Sequence, residues 1–323
     1  MWAYSLTEPA KFSRVEVNPP GEGDLKEGQV LIRTLAGAVC GSDLGYFAGH
    51  PDTRPQDRGP YAANFPGYPM HEVVGEVLAS RSPLYARGAH VVGWAEYDNA
   101  VSEIIVTDGD QVVQVDEDLE PVLAIPIQTL ACVIYAVDQI GDVEGHSVAV
   151  LGQGSIGMLF SHVLKSRGAS HVTGVDLVDR SDFAADFGVD EAIHGSVERW
   201  VSQLSEADRP SVVVEAIGHQ AFTISDAIDA VAPGGRLYYF GIPETRPVAF
   251  DLYKFLRKQL TLKAGSTLSR HHALEVALDH VKANEFLPER YVTHVFDVED
   301  VQQAYETAIV PARGRLKVAV RMA

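Results

Sequence analysis

Along the first hundred residues, apolar positions come in short runs broken by glycine and proline. Val15–Val17, Gln29–Ala36, Val73–Ala79, His90–Trp94 and Ser102–Val106 read as strands, separated by turns such as Asn18-Pro19-Pro20-Gly21 and Ser82-Pro83. This predicts an irregular, mostly antiparallel β domain. From about Thr129 the rhythm changes. Apolar runs at Ser147–Leu151, Val172–Asp176, Ala192–His194, Ser211–Glu215, Arg236–Gly241 and Leu260–Ala264 alternate with stretches of helical period. That alternation predicts six strands of a doubly wound parallel sheet, an α/β fold. After Gly265 an amphipathic helix carries Leu274, Ala277 and Val281, followed by a strand at Val292–Phe296, a helix at Asp300–Ala308 and a strand at Leu316–Val320. These return to the first region. The expected division is therefore discontinuous, with residues 1–128 and 266–323 forming one domain and 129–265 inserted as the other.

The first strand of the inserted region runs into Gly152-Gln153-Gly154-Ser155-Ile156-Gly157, in the order G-x-G-x-x-G. The first glycine suits a tight turn, the second admits a pyrophosphate to the backbone, and the third lets a helix pack against the strand. A helix is predicted over Met158–Arg167, its N-terminus offering free N–H groups and a partial positive charge to phosphate. The next strand ends at Asp176, a carboxylate placed to accept both hydroxyls of a ribose and to repel a 2′-phosphate. Gly152, Gly154, Ser155, Ile156, Gly157 and Asp176 are thus candidate dinucleotide contacts, with Arg180 four residues on, and NAD is expected rather than NADP.

Composition narrows the possibilities further. The 323 residues are enough for two cores, and 46% apolar with 22% charged residues is ordinary for a globular protein. A formal net charge of −18 argues against nucleic-acid partners and against an anionic membrane face. Cys40 and Cys132 are the only cysteines, so a disulfide-built scaffold is not expected. The N-terminus lacks the basic and apolar blocks of a signal peptide. The longest apolar stretch, Val122–Val137, contains Pro126, Gln128 and Thr129 and is read as too short and too polar to span a bilayer. A cytoplasmic protein is expected.

Cys40-Gly41-Ser42-Asp43 follows a strand, and His71-Glu72-Val73-Val74-Gly75 begins another. With the glycine turn, Asp176, Glu215-Ala216-Ile217-Gly218, Gly241-Ile242-Pro243 and Gly314-Arg315-Leu316-Lys317, the chain resembles the zinc-dependent medium-chain alcohol and polyol dehydrogenases nearly end to end. The resemblance implies a GroES-like catalytic domain beside a Rossmann domain, with Gly218, Gly241 and Ile242 added to the cofactor contacts. It makes Cys40 and His71 ligands of a catalytic zinc, whose open position is left for water or alcohol. Asp43 would hold the His71 ring by its other nitrogen. Glu72 would lie beside the metal, and Ser42 would accept the proton of the substrate hydroxyl.

Three departures from that pattern stand out. The four cysteines of a structural zinc lobe are missing between Val91-Val92-Gly93 and Ser102-Glu103-Ile104, so one zinc per chain is expected and no structural zinc. Gln128 falls where polyol dehydrogenases often place Glu as a third ligand; a neutral amide is a poor zinc ligand, which leaves Glu72 to complete the shell. Cys132, one turn further, is read as a core residue. Gly45 occupies the position of a proton-relaying histidine, with Tyr46 and His50 nearby in sequence. A polar secondary alcohol (a sugar, cyclitol or other polyol) is the expected substrate, oxidised to a ketone, with a homodimer or homotetramer formed through the nucleotide-domain sheet edge near Tyr238–Ile242. Two other readings stay open: a zinc-free NAD(P)H quinone or enone reductase, and a non-catalytic dinucleotide-binding sensor.

Overall fold

A computed structural model describes residues 1–49, 65–218, 220, 222–243 and 247–322. Contacts divide the chain into two units: Met1–Ala131 with Ser269–Pro311 and Arg315–Ala323, and Cys132–Leu268 with Ala312–Gly314. The first crossing between them falls inside the helix Pro126–Ile140.

In the first unit, β1 (Trp2–Glu8) and β2 (Lys11–Glu16) form an antiparallel hairpin. The longest strand, β3 (Gln29–Val39), leads into the helix Gly41–Phe47. Then come β4 (Glu72–Ser80), β5 (His90–Trp94), β6 (Ile104–Asp108) and β7 (Val112–Val115). The alternation was legible for most of these. β1 and β7 were not predicted, because WAYSLTE mixes aromatic and polar residues and VVQV is too short to show a period.

The second unit contributes β8 (Ser147–Leu151), β9 (His171–Asp176), β10 (Glu191–His194), β11 (Val212–Glu215), β12 (Arg236–Tyr239) and β13 (Thr261–Ala264). They form one parallel sheet in the order β10-β9-β8-β11-β12-β13. Val148, Val150, Val212 and Val214 are wholly buried, as expected for strands covered on both faces. The helix Ser155–Ser166 buries Met158, Leu159, Phe160, Val163 and Leu164. A second cluster gathers Ala149, Leu151, Val213 and Leu237 against Ile224, Ala227 and Ile228 of the helix Thr223–Ala230. The sheet edge is β13, not Tyr238–Ile242: β12 is flanked on both sides, since the apolar run at Leu260–Ala264 pairs outside it.

The chain returns to the first unit with β14 (Val292–Asp297) and β15 (Lys317–Arg321). The resulting sheet runs β14-β15-β3-β4-β5-β7, with β6 on β3. All its pairings are antiparallel except β14 with β15. Tyr305, on the helix Val301–Ile309, is wholly buried and meets both Phe12 and Phe47 at ring-centroid distances of 5.0 Å. An aromatic trio of this kind fixes the helix Gly41–Phe47 through its last residue.

The reading of the longest apolar stretch needs correction. The helical run Pro121–Ile140 is long and apolar enough to cross a membrane, because Gln128 and Thr129 are offset by aliphatic neighbours. It is apolar for another reason: 72% of its most apolar window is buried within the protein.

Candidate functional site

β3 ends at Val39, and the chain turns through Cys40 into a short helix whose third residue is Asp43. The Asp43 carboxylate is 1% exposed and works in two directions. Its Oδ2 accepts the Cys40 backbone N–H at 2.9 Å, and its Oδ1 lies 2.9 Å from His71 Nδ1. His71 immediately precedes β4, which pairs with β3 so that Glu72 stands opposite Ala38. Strand pairing therefore brings residues 31 positions apart into one place. Donor atoms of Cys40, His71 and Glu72 all lie within 4.8 Å of one another. With Nδ1 engaged by Asp43, the ring has Nε2 left to offer a metal.

Burial opposes a charge on His71, but the Asp43 carboxylate and the Cys40 sulfur outweigh it and raise its pKa well above the ordinary histidine value. The geometry fits a borderline-soft cation: one thiol, one imidazole and one carboxylate converge.

Glu72 is held more tightly than its sequence suggests. The Lys317 ammonium of β15 donates to Oε1, and Thr129 Oγ1 donates to Oε2 at 3.3 Å. Both members of the ion pair have side chains only 1% exposed. Burial opposes the Lys317 charge; Glu72 overcomes this and raises the lysine pKa well above its usual value. Beneath the site the Tyr305 hydroxyl donates to the Pro69 carbonyl. Burial first, and then the nearby Asp43, Cys40 and Glu72 charges, raise its pKa well above the ordinary tyrosine value.

Lys317 and Thr129 had no assigned role in the sequence reading. The available signal was a lysine inside the apolar run Leu316–Val320, since a lysine in a buried strand requires a carboxylate. Gln128 is buried beside Thr129 in the first turn of its helix. Ser42 and Tyr46 are four residues apart on the helix Gly41–Phe47, hence on one face, and the Tyr46 ring lies 5.2 Å from that of Tyr68. Trp94 is 6% exposed, with the Arg270 guanidinium 5.1 Å from its ring centroid. Gly45 is buried. His50 lies outside the described residues. Neither Cys40 nor Cys132 is in a disulfide.

In the second unit, Gly152 turns the chain out of β8 at φ +88°, a conformation that favours glycine. A Cβ at Gly157 would stand 1.8 Å from the Gly152 carbonyl oxygen, so the third glycine is what lets helix and turn touch. A Cβ at Gly154 would meet nothing within 4 Å, leaving its backbone open to a ligand. The helix starts at Ser155, three residues earlier than predicted. Met158 N–H makes the first bond of the ladder, to the Gly154 carbonyl, so the N–H groups of Ser155, Ile156 and Gly157 lie in the unbonded first turn. Free N–H groups at a helix N-terminus are the arrangement that could hold a pyrophosphate.

Asp176 closes β9 with two bonds of its own. Oδ2 accepts Gln153 N–H and Oδ1 accepts Val178 N–H, both at 2.7 Å. The acid thereby ties the glycine turn to its own strand, and a carboxylate with about four acceptor positions keeps capacity for a ribose. Arg180 Nε lies 3.8 Å from Asp176 Oδ2, and its Nη1 donates to the Ala312 carbonyl at 2.9 Å. Gly218 and Gly241 pack together at the ends of β11 and β12, while Ile242 is 47% exposed.

Two family models match the chain: the alcohol dehydrogenase GroES-like domain over residues 26–117, and the glucose dehydrogenase C-terminus over residues 122–322. D-arabinitol dehydrogenase 1 of Uromyces fabae is 24% identical, the match covering 99% of this chain and 97% of that protein. D-altritol 5-dehydrogenase of Agrobacterium fabrum (strain C58) is 28% identical, over 84% of this chain and 86% of that one. Among solved structures, an alcohol dehydrogenase from Thermus sp. ATN1 superposes with a TM-score of 0.81 at 25% identity, covering 100% of both chains.

Proposed function

The chain belongs to the zinc-type alcohol and polyol dehydrogenases of the medium-chain dehydrogenase/reductase superfamily, and from that premise we propose that it oxidises a polar secondary alcohol to a ketone with NAD at one catalytic zinc. The observation that carries this reading is the meeting of Cys40, His71 and Glu72, with Asp43 fixing the histidine ring. Cys40 Sγ, His71 Nε2 and a Glu72 oxygen would hold the metal. When bound, zinc would supply a Lewis acid that acidifies the substrate hydroxyl, and NAD the ring that takes the hydride.

The chain's own residues do the rest. Ser42 accepts the hydroxyl proton, with Tyr46 on the same helix face one turn along. Asp43 keeps His71 in the tautomer that leaves Nε2 to the metal. Lys317 and Thr129 hold Glu72 beside the thiol. Gln128 contributes an amide where many polyol dehydrogenases carry a carboxylate, so the donor set is one negative charge poorer. The first turn of the helix Ser155–Ser166 binds the pyrophosphate, and Asp176 accepts the ribose hydroxyls, disfavouring a 2′-phosphate. Names of relatives that act on arabinitol and altritol favour a sugar alcohol as the substrate class.

The unit is expected to work in the cytoplasm as a homodimer or homotetramer, through the outer strand β13. The test begins with zinc per chain by elemental analysis, for the wild type and Cys40→Ser. About one zinc, lost in the variant, together with NADH production from sugar alcohols or cyclitols, supports the reading. Protein that binds no zinc when metal is supplied would overturn it.

A further inference from the structure

Glu215 is the last residue of β11, in register with Leu151 at the end of β8. The strand order reverses between these two strands, so Glu215 stands at the crevice where open α/β sheets take their ligands. Its side chain is wholly buried. Ile217 N–H donates to Oε1 at 3.1 Å and Gly241 N–H to Oε2 at 3.2 Å. Gly218 N–H and the Thr223 hydroxyl also hydrogen-bond to it.

The backbone N–H groups of Ile217, Gly218 and Gly241 suit an ionised carboxylate, which only accepts. Burial pushes its pKa above the usual carboxylate range, and these four hydrogen bonds pull against that. Among the described residues no lysine, arginine or histidine forms an ion pair with it. Buried charges are ordinarily paired or neutralised. Glu215 has no cationic partner among the described residues, and the backbone has been shaped around it: a Cβ at Gly241 would stand 2.5 Å from Glu215 Oε2 and 2.4 Å from Gly218 N.

We propose that Glu215 sets the balance between oxidised and reduced cofactor, its unpaired negative charge favouring the cationic nicotinamide over the neutral dihydronicotinamide. The proposal rests on the dinucleotide-binding reading above. Pyrophosphate, ribose and adenine are the same in both redox forms, so their contacts cancel from the ratio of the two affinities. Only a group that senses the charge of the ring survives in that ratio. Glu215 also clamps Ile217, Gly218 and Gly241 together, but a clamp alone acts on both forms alike.

The experiment compares dissociation constants for NAD⁺ and NADH by calorimetry, on full-length wild type, Glu215→Gln, Glu215→Asp and Thr223→Val. Glu215→Gln is expected to raise the Kd ratio of NAD⁺ to NADH about tenfold, while Glu215→Asp and Thr223→Val, which keep the charge, leave it near the wild-type value. Equal weakening of both forms by Glu215→Gln would overturn the proposal and leave a purely structural clamp. A second arm needs no variant and covers a Glu215→Gln protein that does not fold. Wild type should bind NAD⁺ about tenfold more tightly than benzamide adenine dinucleotide, a planar analogue whose ring carries no charge. Equal affinities there would also sink it. Absence of binding by every dinucleotide would instead overturn the dinucleotide-binding reading, and this proposal with it.

Discussion

At the scale of single residues, the strongest constraint in the first unit is an ion pair shielded from water. Glu72 and Lys317 are each 1% exposed, so removing either partner strands a charge in a low-dielectric interior. In metal-free protein, Lys317→Met is expected to cost about 3–5 kcal/mol. The double variant Lys317→Met/Glu72→Gln should cost clearly less than the sum of the two single changes. Urea unfolding of the four proteins measures the coupling, and strict additivity would show that the pair does not form. His71 gives a second expectation at this scale. Its pKa is raised, so a metal arriving at Nε2 has to displace a proton, and that competition weakens as pH rises. Zinc affinity by chelator competition should climb between pH 6 and 8, by up to about tenfold per unit. Asp43→Asn should flatten the slope, and a flat slope in the wild type would exclude His71 as a ligand. Cys40, His71 and Glu72, which the fold brings together, could be named as candidates because each sits in a short, ordered motif. Lys317 could not, since it meets Glu72 from 245 positions away and no local pattern records that encounter.

Elements show the same division between local and distant information. The turn Gly152–Gly157 and the acid Asp176 could be read directly, because strand, turn, helix and strand follow one another without interruption. Its close contact supplies a test. Gly157→Ala would drive a methyl into the Gly152 carbonyl, forcing the helix Ser155–Ser166 away from the turn. Loss of NADH binding by more than about tenfold is expected, with destabilisation of about 1–3 kcal/mol. Fluorescence titration and unfolding measure the two effects, and tight NADH binding by the variant would refute pyrophosphate binding at this turn. Sheet edges were harder to read. Whether β12 or β13 lies outermost depends on pairing, and an apolar strand looks alike in either position. The buried helical run Pro121–Ile140 shows the converse: composition alone passes it as a membrane span, and only its packing identifies it as core.

At the scale of the whole molecule, burial of that run predicts how the protein behaves beside lipid. In flotation with anionic vesicles it should remain in the dense fractions, as its net charge of −18 also requires. Co-migration with the vesicles would show that the run leaves its packed position.

The division of the chain has a further consequence, in the order of its synthesis. Almost all of the second unit, Cys132–Leu268, is one uninterrupted stretch, whereas the first unit needs β15 from far downstream. On the ribosome the second unit can therefore close while Glu72 still awaits its counter-ion. During that interval the cluster of Cys40, His71 and Glu72 carries an acid without its lysine. Ligands arriving early would meet a differently charged cluster from the one the finished protein presents.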